Sequence, residues 1–181
     1  MRDKIRREVS SIIPISDREA ATIAEVISWI DSGAELYRRQ KPDIPNKHLI
    51  SYFAVVDGDY VLLVDHKNAE LWLPTGGHVE VGEHPIATVI REAKEELSIE
   101  AEFLQQQPLL VSCTNTVGKT AGHTDVSIWY ALKGNRKIFL DFDKSEFHSV
   151  RWFHKNDIPF DRTDPELKHF LNKLYRKDYV S

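Results

Sequence analysis

A glycine-bearing turn that runs directly into a helix with three carboxylates on one side constrains this chain more than any other feature. Residues 85–97, PIATVIREAKEEL, have helical periodicity with proline in the first turn, where its missing N–H is no loss. At about 100° per residue, Glu92, Glu95 and Glu96 fall within one arc of roughly 100°. Ile86, Val89, Ile90, Ala93 and Leu97 occupy a different arc that can face a core. Like charges on adjacent turns weaken an isolated helix by a few tenths of a kcal/mol per pair. Such a cluster is therefore either a solvated face or a holder of cations. Hard divalent ions such as Mg²⁺ take oxygen ligands and keep several waters, which suits two or three carboxylates plus substrate phosphates. The residues upstream favour the second reading. Gly76-Gly77 and Gly82-Glu83 precede the helix, and glycines let a backbone approach an anion whose oxygens turn amides can cradle.

Composition removes the rival frameworks. The single cysteine, Cys113, excludes an intramolecular disulfide set and a Cys-rich zinc site, and fits a reducing compartment. Lys+Arg 24 against Asp+Glu 28 gives a net charge of -4, which disfavours non-specific nucleic-acid binding. No apolar run approaches the roughly 18 residues of a membrane span. The charged start Met1-Arg2-Asp3-Lys4 is followed by no signal-type apolar stretch. The expectation is a soluble, cytoplasmic protein with no membrane partner.

Along the chain, residues 16–33 read as a helix. Ser16 and Glu19 have capping-box spacing, Ile23, Val26, Ile27 and Ile30 repeat at helical intervals, and Gly33 is a suitable stop. Pro42 and Pro45 mark a connector. Residues 49–56 and 60–65 are β-rich runs flanking Asp57-Gly58, a hairpin signal. Further strands are expected at 71–73, 108–117, 125–132, 137–142 and 150–153, with a polar loop over 118–123. Asp164 caps a closing helix with Pro165 at its start and Leu167, Phe170, Leu171 and Leu174 on one face. Strands and helices interleave without a βαβ rhythm, which points to a mixed sheet covered on both faces, an α/β/α sandwich.

The stretch from Gly77 to Ile99 resembles the Nudix box. Gly77, Glu83, Arg91-Glu92, Glu95-Glu96 and Ile99 stand at the positions of that motif, and every charged position matches. Ser98 replaces the box glycine and Ala93 a larger aliphatic; a serine in the left-handed cap position costs roughly a kcal/mol or shifts the turn, but removes no ligand. More loosely the likeness extends over residues 47–173, with residues 1–45 as an N-terminal helical extension and 46–181 as the Nudix hydrolase domain. The helix in that extension is a candidate sheet cover, dimer contact or pocket wall. Most of the chain's net charge of -4 lies in the box, where Glu80, Glu83, Glu92, Glu95 and Glu96 face only Arg91 and Lys94.

The resemblance implies a Nudix-type fold and a hydrolase in which metal-activated water attacks a diphosphate, usually one linked to a nucleoside. It implies Glu92, Glu95 and Glu96 as ligands of Mg²⁺, with Mn²⁺ as substitute, and a backbone oxygen from the Gly77 region. It also implies Arg91 and Glu83 as a charge-assisted pair that orients a catalytic glutamate. A further base often comes from a later loop in the family; Glu146 is the candidate, with a plain loop acid as the other reading. Gly76, Gly77, His78 and Lys119 are candidate phosphate contacts, the last two being read more simply as loop side chains. Eight histidines show no His-x-x-x-His spacing. Trp72, Trp129 and Tyr130 are candidates for the core or for stacking on a base. The leading substrate is a nucleoside triphosphate cleaved to monophosphate and pyrophosphate. An RNA 5′ end stays open as a variant, and the alternatives are a non-catalytic nucleotide-binding module and an allylic diphosphate isomerase dependent on Cys113.

Overall fold

The computed structural model describes residues 1–40, 44–116 and 122–176. Its centre is strand β1 (Lys47–Asp57), buried on both faces and rich in the aliphatic and aromatic residues that a central strand needs. One edge of β1 pairs in parallel with β6 (Thr124–Lys133), and β6 pairs antiparallel with β5 (Leu110–Asn115). The other edge turns at Asp57-Gly58 into β2 (Tyr60–His66), with Gly58 at the positive φ of 57° that a tight hairpin favours.

The hairpin register covers only Val55 to Asp57 of β1. Farther from the turn, β3 (Leu71–Leu73) pairs with β2 and β4 (Thr75–His78) pairs with β1. Pro74, which has no N–H to donate, sits between these two short strands. Gly76-Gly77 are thus strand residues, and not the phosphate-cradling turn that the sequence suggests. Their lack of side chains serves close backbone packing. A Cβ on Gly76, at φ 154°, would lie 2.2 Å from the Ser51 carbonyl oxygen. Strand β7 (Phe147–His154) completes the seven-stranded mixed sheet by pairing with the free edge of β2.

Helices α1 (Arg2–Ser10), α2 (Asp17–Asp31) and α3 (Pro85–Leu97) cover one face. Ile5, Val9, Val26, Ile30, Val89, Ala93 and Leu97 share a core there with Leu49, Phe53, Val55, Ile128 and Tyr130. Helix α4 (Leu167–Leu174) covers the opposite face, where Phe170 and Leu171 meet Ala54, Val56, Leu63 and Trp129. The architecture is the expected α/β/α sandwich, with N-terminal helices present. Trp129 and Tyr130 are consecutive, point to opposite faces and are both fully buried, so both are core residues.

Local signals explain most boundaries. Ser16 Oγ accepts the Glu19 amide at 3.2 Å as an N-cap, while the Glu19 carboxylate accepts from the Ile15 amide, one residue ahead of the reciprocal partner in a capping box. Asp164 Oδ1 accepts the Glu166 amide at 2.7 Å just ahead of α4. Two elements differ from expectation. Helix α1 is present although only Ile5 and Val9 are buried from it. Residues 137–142 form no strand: Ile138 and Phe139 are 60% and 90% exposed, and no strand edge pairs with them. Apolar β-rich composition without a partner edge is not enough to make a strand. Among the described residues no helix is long and apolar enough to cross a membrane.

Candidate active site

Where β1 and β2 part, the sheet end, α3 and the segment before β7 enclose a cavity of about 720 Å³. Tyr52, Leu71, Gly76, Gly77, His78, Glu92, Glu95, Glu96, Glu146 and Phe147 contribute to its walls. The helical arc read from the sequence therefore faces this space: Glu92 and Glu96 are largely buried at its side, and Glu95 is exposed at its rim.

Strand β4 is fitted against that helix. A Cβ on Gly77 would fall 2.0 Å from Glu92 Oε1, so a side chain there would push the carboxylate out of its present place. The Gly76 amide donates to Glu96 Oε2 at 3.1 Å. Burial raises the pKa of Glu92; Arg91 opposes this, and Glu95 and Glu146 add to it. Burial lifts Glu96 well above the usual carboxylate range, reinforced by Glu92 and Glu146, while the Gly76 amide pulls it back. Crowded, partly desolvated carboxylates of this kind gain most from a cation placed among them. An oxygen-only set with a side-chain-free strand beside it fits a hard divalent ion.

Arg91 and Glu83 lie behind the wall and do not line the cavity. Arg91 Nε and Nη2 each approach Glu83 at 3.2 Å, the fork-on-carboxylate geometry, and Nη2 also donates to the His78 carbonyl at 3.2 Å. Nη1 donates to Glu92 Oε1 at 2.6 Å and to Glu95 Oε2 at 3.2 Å. Glu83 also accepts from Thr88 Oγ1 at 2.8 Å and from the Glu80 amide at 3.0 Å. Burial pushes the Glu83 pKa up, but these donors outweigh it and the net shift is downward. The Arg91 guanidinium is correspondingly held more firmly protonated.

Glu146 reaches the cavity from the loop before β7. That loop is fixed to α3 by the Asp143 amide donating to the Glu96 carbonyl at 2.9 Å, and to β2 by the Lys67 amide donating to the Glu146 carbonyl at 3.0 Å. His78 also lines the cavity, whereas Lys119 lies outside the described residues. Cys113, on β5, is not among the lining residues. The sequence reading gives no site role to Arg38, His48, His123 or Asp125, and reads Asp164 only as a helix cap. Arg38, His123, Asp125 and Asp164 line the cavity, and His48 stands beside His78 with ring centroids 4.9 Å apart. Asp164 carries a pKa raised by burial to about 6.

Comparisons with known proteins bear on family and fold. Residues 46–174 match the model of the NUDIX domain. No curated protein matches the chain significantly. Among solved structures, the MutT NUDIX hydrolase from Burkholderia pseudomallei is similar at TM-score 0.60 and 22% identity, covering 71% of this chain and 98% of its own. A NUDIX-family hydrolase from Clostridium perfringens is similar at TM-score 0.53 and 24% identity, covering 70% and 97%. A UDP-X diphosphatase is similar at TM-score 0.57 and 14% identity, and that match extends over 96% of this chain and 91% of the other.

Proposed function

This chain belongs to the NUDIX family of hydrolases, and from that premise we propose that it cleaves a diphosphate bond in a nucleoside triphosphate, giving monophosphate and pyrophosphate, with Mg²⁺ as its ion. The observation that carries the reading is the convergence of Glu92, Glu95, Glu96 and Glu146 on one cavity of about 720 Å³, a volume suited to a nucleotide-sized ligand.

Glu92, Glu95 and Glu96, with the backbone of Gly77, are the residues that would hold the ion. A bound divalent cation supplies charge neutralisation on the phosphoryl oxygens and lowers the pKa of water. The chain's own groups do the rest. Arg91 fixes the Glu92 carboxylate through the 2.6 Å hydrogen bond, and is itself fixed by Glu83, so Arg91 and Glu83 are positioning residues. Glu146 is free of the Arg91 network and stands across the cavity wall, where it can accept a proton from the attacking water. The Arg38 guanidinium offers donors for phosphate oxygens at the same cavity.

An isomerase working through a cysteine finds little support, since Cys113 is absent from the cavity lining. A nucleotide-binding module without turnover is separated from the hydrolase by one experiment: phosphate and pyrophosphate release across a nucleotide panel with Mg²⁺ or Mn²⁺. The expected result is metal-dependent release that falls by roughly 10²- to 10³-fold in Glu96→Gln and in Glu95→Gln. Tight binding with no turnover, or variants as active as the wild type, would overturn it.

A further inference from the structure

The floor of the same cavity carries a second group of metal-type donors with a different chemistry. His48 on β1, His78 on β4, and His123 and Asp125 at the start of β6 each offer one donor atom, and these four atoms lie within 4.8 Å of one another. Sheet register brings them together. His48 is the cross-strand partner of Asp125, and β4 flanks β1 on its other edge. The rings of His78 and His123 each stand 4.9 Å from the fully buried His48 ring and 6.4 Å from one another.

Two of the imidazoles are oriented from behind. His48 Nδ1 is 2.8 Å from the Pro45 carbonyl oxygen, which can only accept. Nδ1 must therefore carry the proton, and in the neutral ring the Nε2 lone pair faces the cluster. His123 Nδ1 meets Thr116 Oγ1 at 3.2 Å, while that hydroxyl directs its own proton to the His123 carbonyl at 3.1 Å. The same tautomer follows, with Nε2 turned to Asp125. A backbone carbonyl or hydroxyl behind Nδ1 is the usual support for an imidazole that ligates through Nε2. Asp125 Oδ1 then lies 3.2 Å from His123 Nε2 and 3.5 Å from His48 Nε2.

Three imidazoles could also serve an anion such as phosphate. The carboxylate in the middle of this set opposes an anion and favours a cation. Neutral imidazole nitrogens select ions of the zinc class over magnesium, whereas the all-oxygen set on α3 has the reverse preference. We propose that His48, His78, His123 and Asp125 form a second metal site, for an imidazole-preferring divalent transition ion such as Zn²⁺, distinct in ligand chemistry from the glutamate site. Four protein ligands make a complete tetrahedral set, so the ion acts as a clasp joining β1, β4 and β6 beneath the substrate. Zinc bonded at ~2.0–2.2 Å spaces its ligand atoms about 3.4 Å apart, so with all four donor atoms within 4.8 Å of one another, closing the site draws no pair together by more than about 1.4 Å. Side-chain rotation supplies such a movement without shifting the strands.

The test uses the full chain, stripped with a chelator, dialysed, and titrated with Co²⁺ and then Zn²⁺ in a large excess of Mg²⁺. The expected result is one equivalent of Co²⁺ with the intense visible absorption of a low-coordinate, nitrogen-ligated ion, displaced by Zn²⁺ and unaffected by Mg²⁺. Asp125→Asn and His123→Gln should weaken binding more than about 100-fold, while Glu95→Gln retains the full equivalent. No stoichiometric Co²⁺ or Zn²⁺ binding by the wild type overturns the proposal, and that titration needs no variant. Equal affinity in both floor variants, or a loss in Glu95→Gln as large as theirs, also overturns it. The readout is independent of hydrolysis, so this site and the glutamate site succeed or fail separately.

Discussion

The cavity has a wall and a floor that were built by opposite rules. The wall is one helix: Glu92, Glu95 and Glu96 sit within two turns, and their common face follows from 3.6 residues per turn. The floor is a row of neighbouring strands: His48, His78, His123 and Asp125 come from β1, β4 and β6, far apart in the chain and adjacent only through register. A helix writes a site into a short stretch of sequence. A sheet writes the same amount of chemistry into pairings that no local spacing records.

The contrast predicts that the wall depends on its tight fit to β4. Gly77→Ala should cost turnover more than stability, because its methyl would fall 2.0 Å from the present place of the Glu92 carboxylate and displace that flexible side chain. Turnover is expected to fall by roughly 10²- to 10³-fold, as when a charge-stabilising group is displaced. Steady-state kinetics with Mg²⁺, read beside thermal unfolding, checks this. Near-native activity in a folded variant would break the claim that wall and strand are mutually fitted.

The wall is also held from outside, by α1. His84, the residue that caps α3, places Nε2 3.0 Å from Glu8 Oε2, and Tyr130 donates to Glu8 Oε1 at 2.6 Å. Burial pushes the Glu8 pKa up to about 7, with the Tyr130 hydrogen bond opposing it. A carboxyl whose folded pKa exceeds its unfolded value keeps its proton while the unfolded chain releases one. Its contribution to stability is thus full below about 4.5 and is lost as pH rises towards 7. The loss amounts to about 3 kcal/mol at most. Denaturant unfolding across that window should show this slope in the wild type and a flatter one in Glu8→Gln. Identical slopes would show that α1 does not grip the wall through this group.

The smallest effect is expected at the far end of the same helix. Ser98 caps α3 in the left-handed region, at φ 55° and ψ 31°. Glycine adopts that conformation without the Cβ penalty, so Ser98→Gly should raise stability by up to about 1 kcal/mol and leave kcat unchanged. A loss of stability in chemical denaturation would mean that the serine contributes something beyond its backbone shape.

How much of this was legible depended on whether a signal was local. Residues 85–97 read as a helix and are one, because proline at the start, an apolar arc and a left-handed stop agree with each other. The strand at 75–78 is invisible in Thr-Gly-Gly-His, whose glycines suggest a turn; it forms because β1 and β2 part and leave edges to be paired. Helix α1 offers few apolar residues, and its docking rests on Ile5 and Val9, on Arg2 and Arg6 bonded to the C-terminal end of α2, and on the Glu8–Tyr130 contact with a distant strand. The reverse error occurs at 137–142, where β-rich composition finds no edge. A search for His-x-x-x-His passes over the floor histidines because that spacing describes ligands on one helix, not ligands on adjacent strands.

By itself the sequence determined the carboxylate arc and the sandwich class, since each rests on periodicity and element order, while the pairing of Arg91 with Glu83 entered only through the resemblance to the Nudix box. Only the tertiary structure decided that Gly76-Gly77 form a strand, that Trp129 and Tyr130 are core, and that three scattered histidines and an aspartate meet. Those outcomes depend on which strand lies beside which, and register is settled by burial of the whole sheet and not by any one segment.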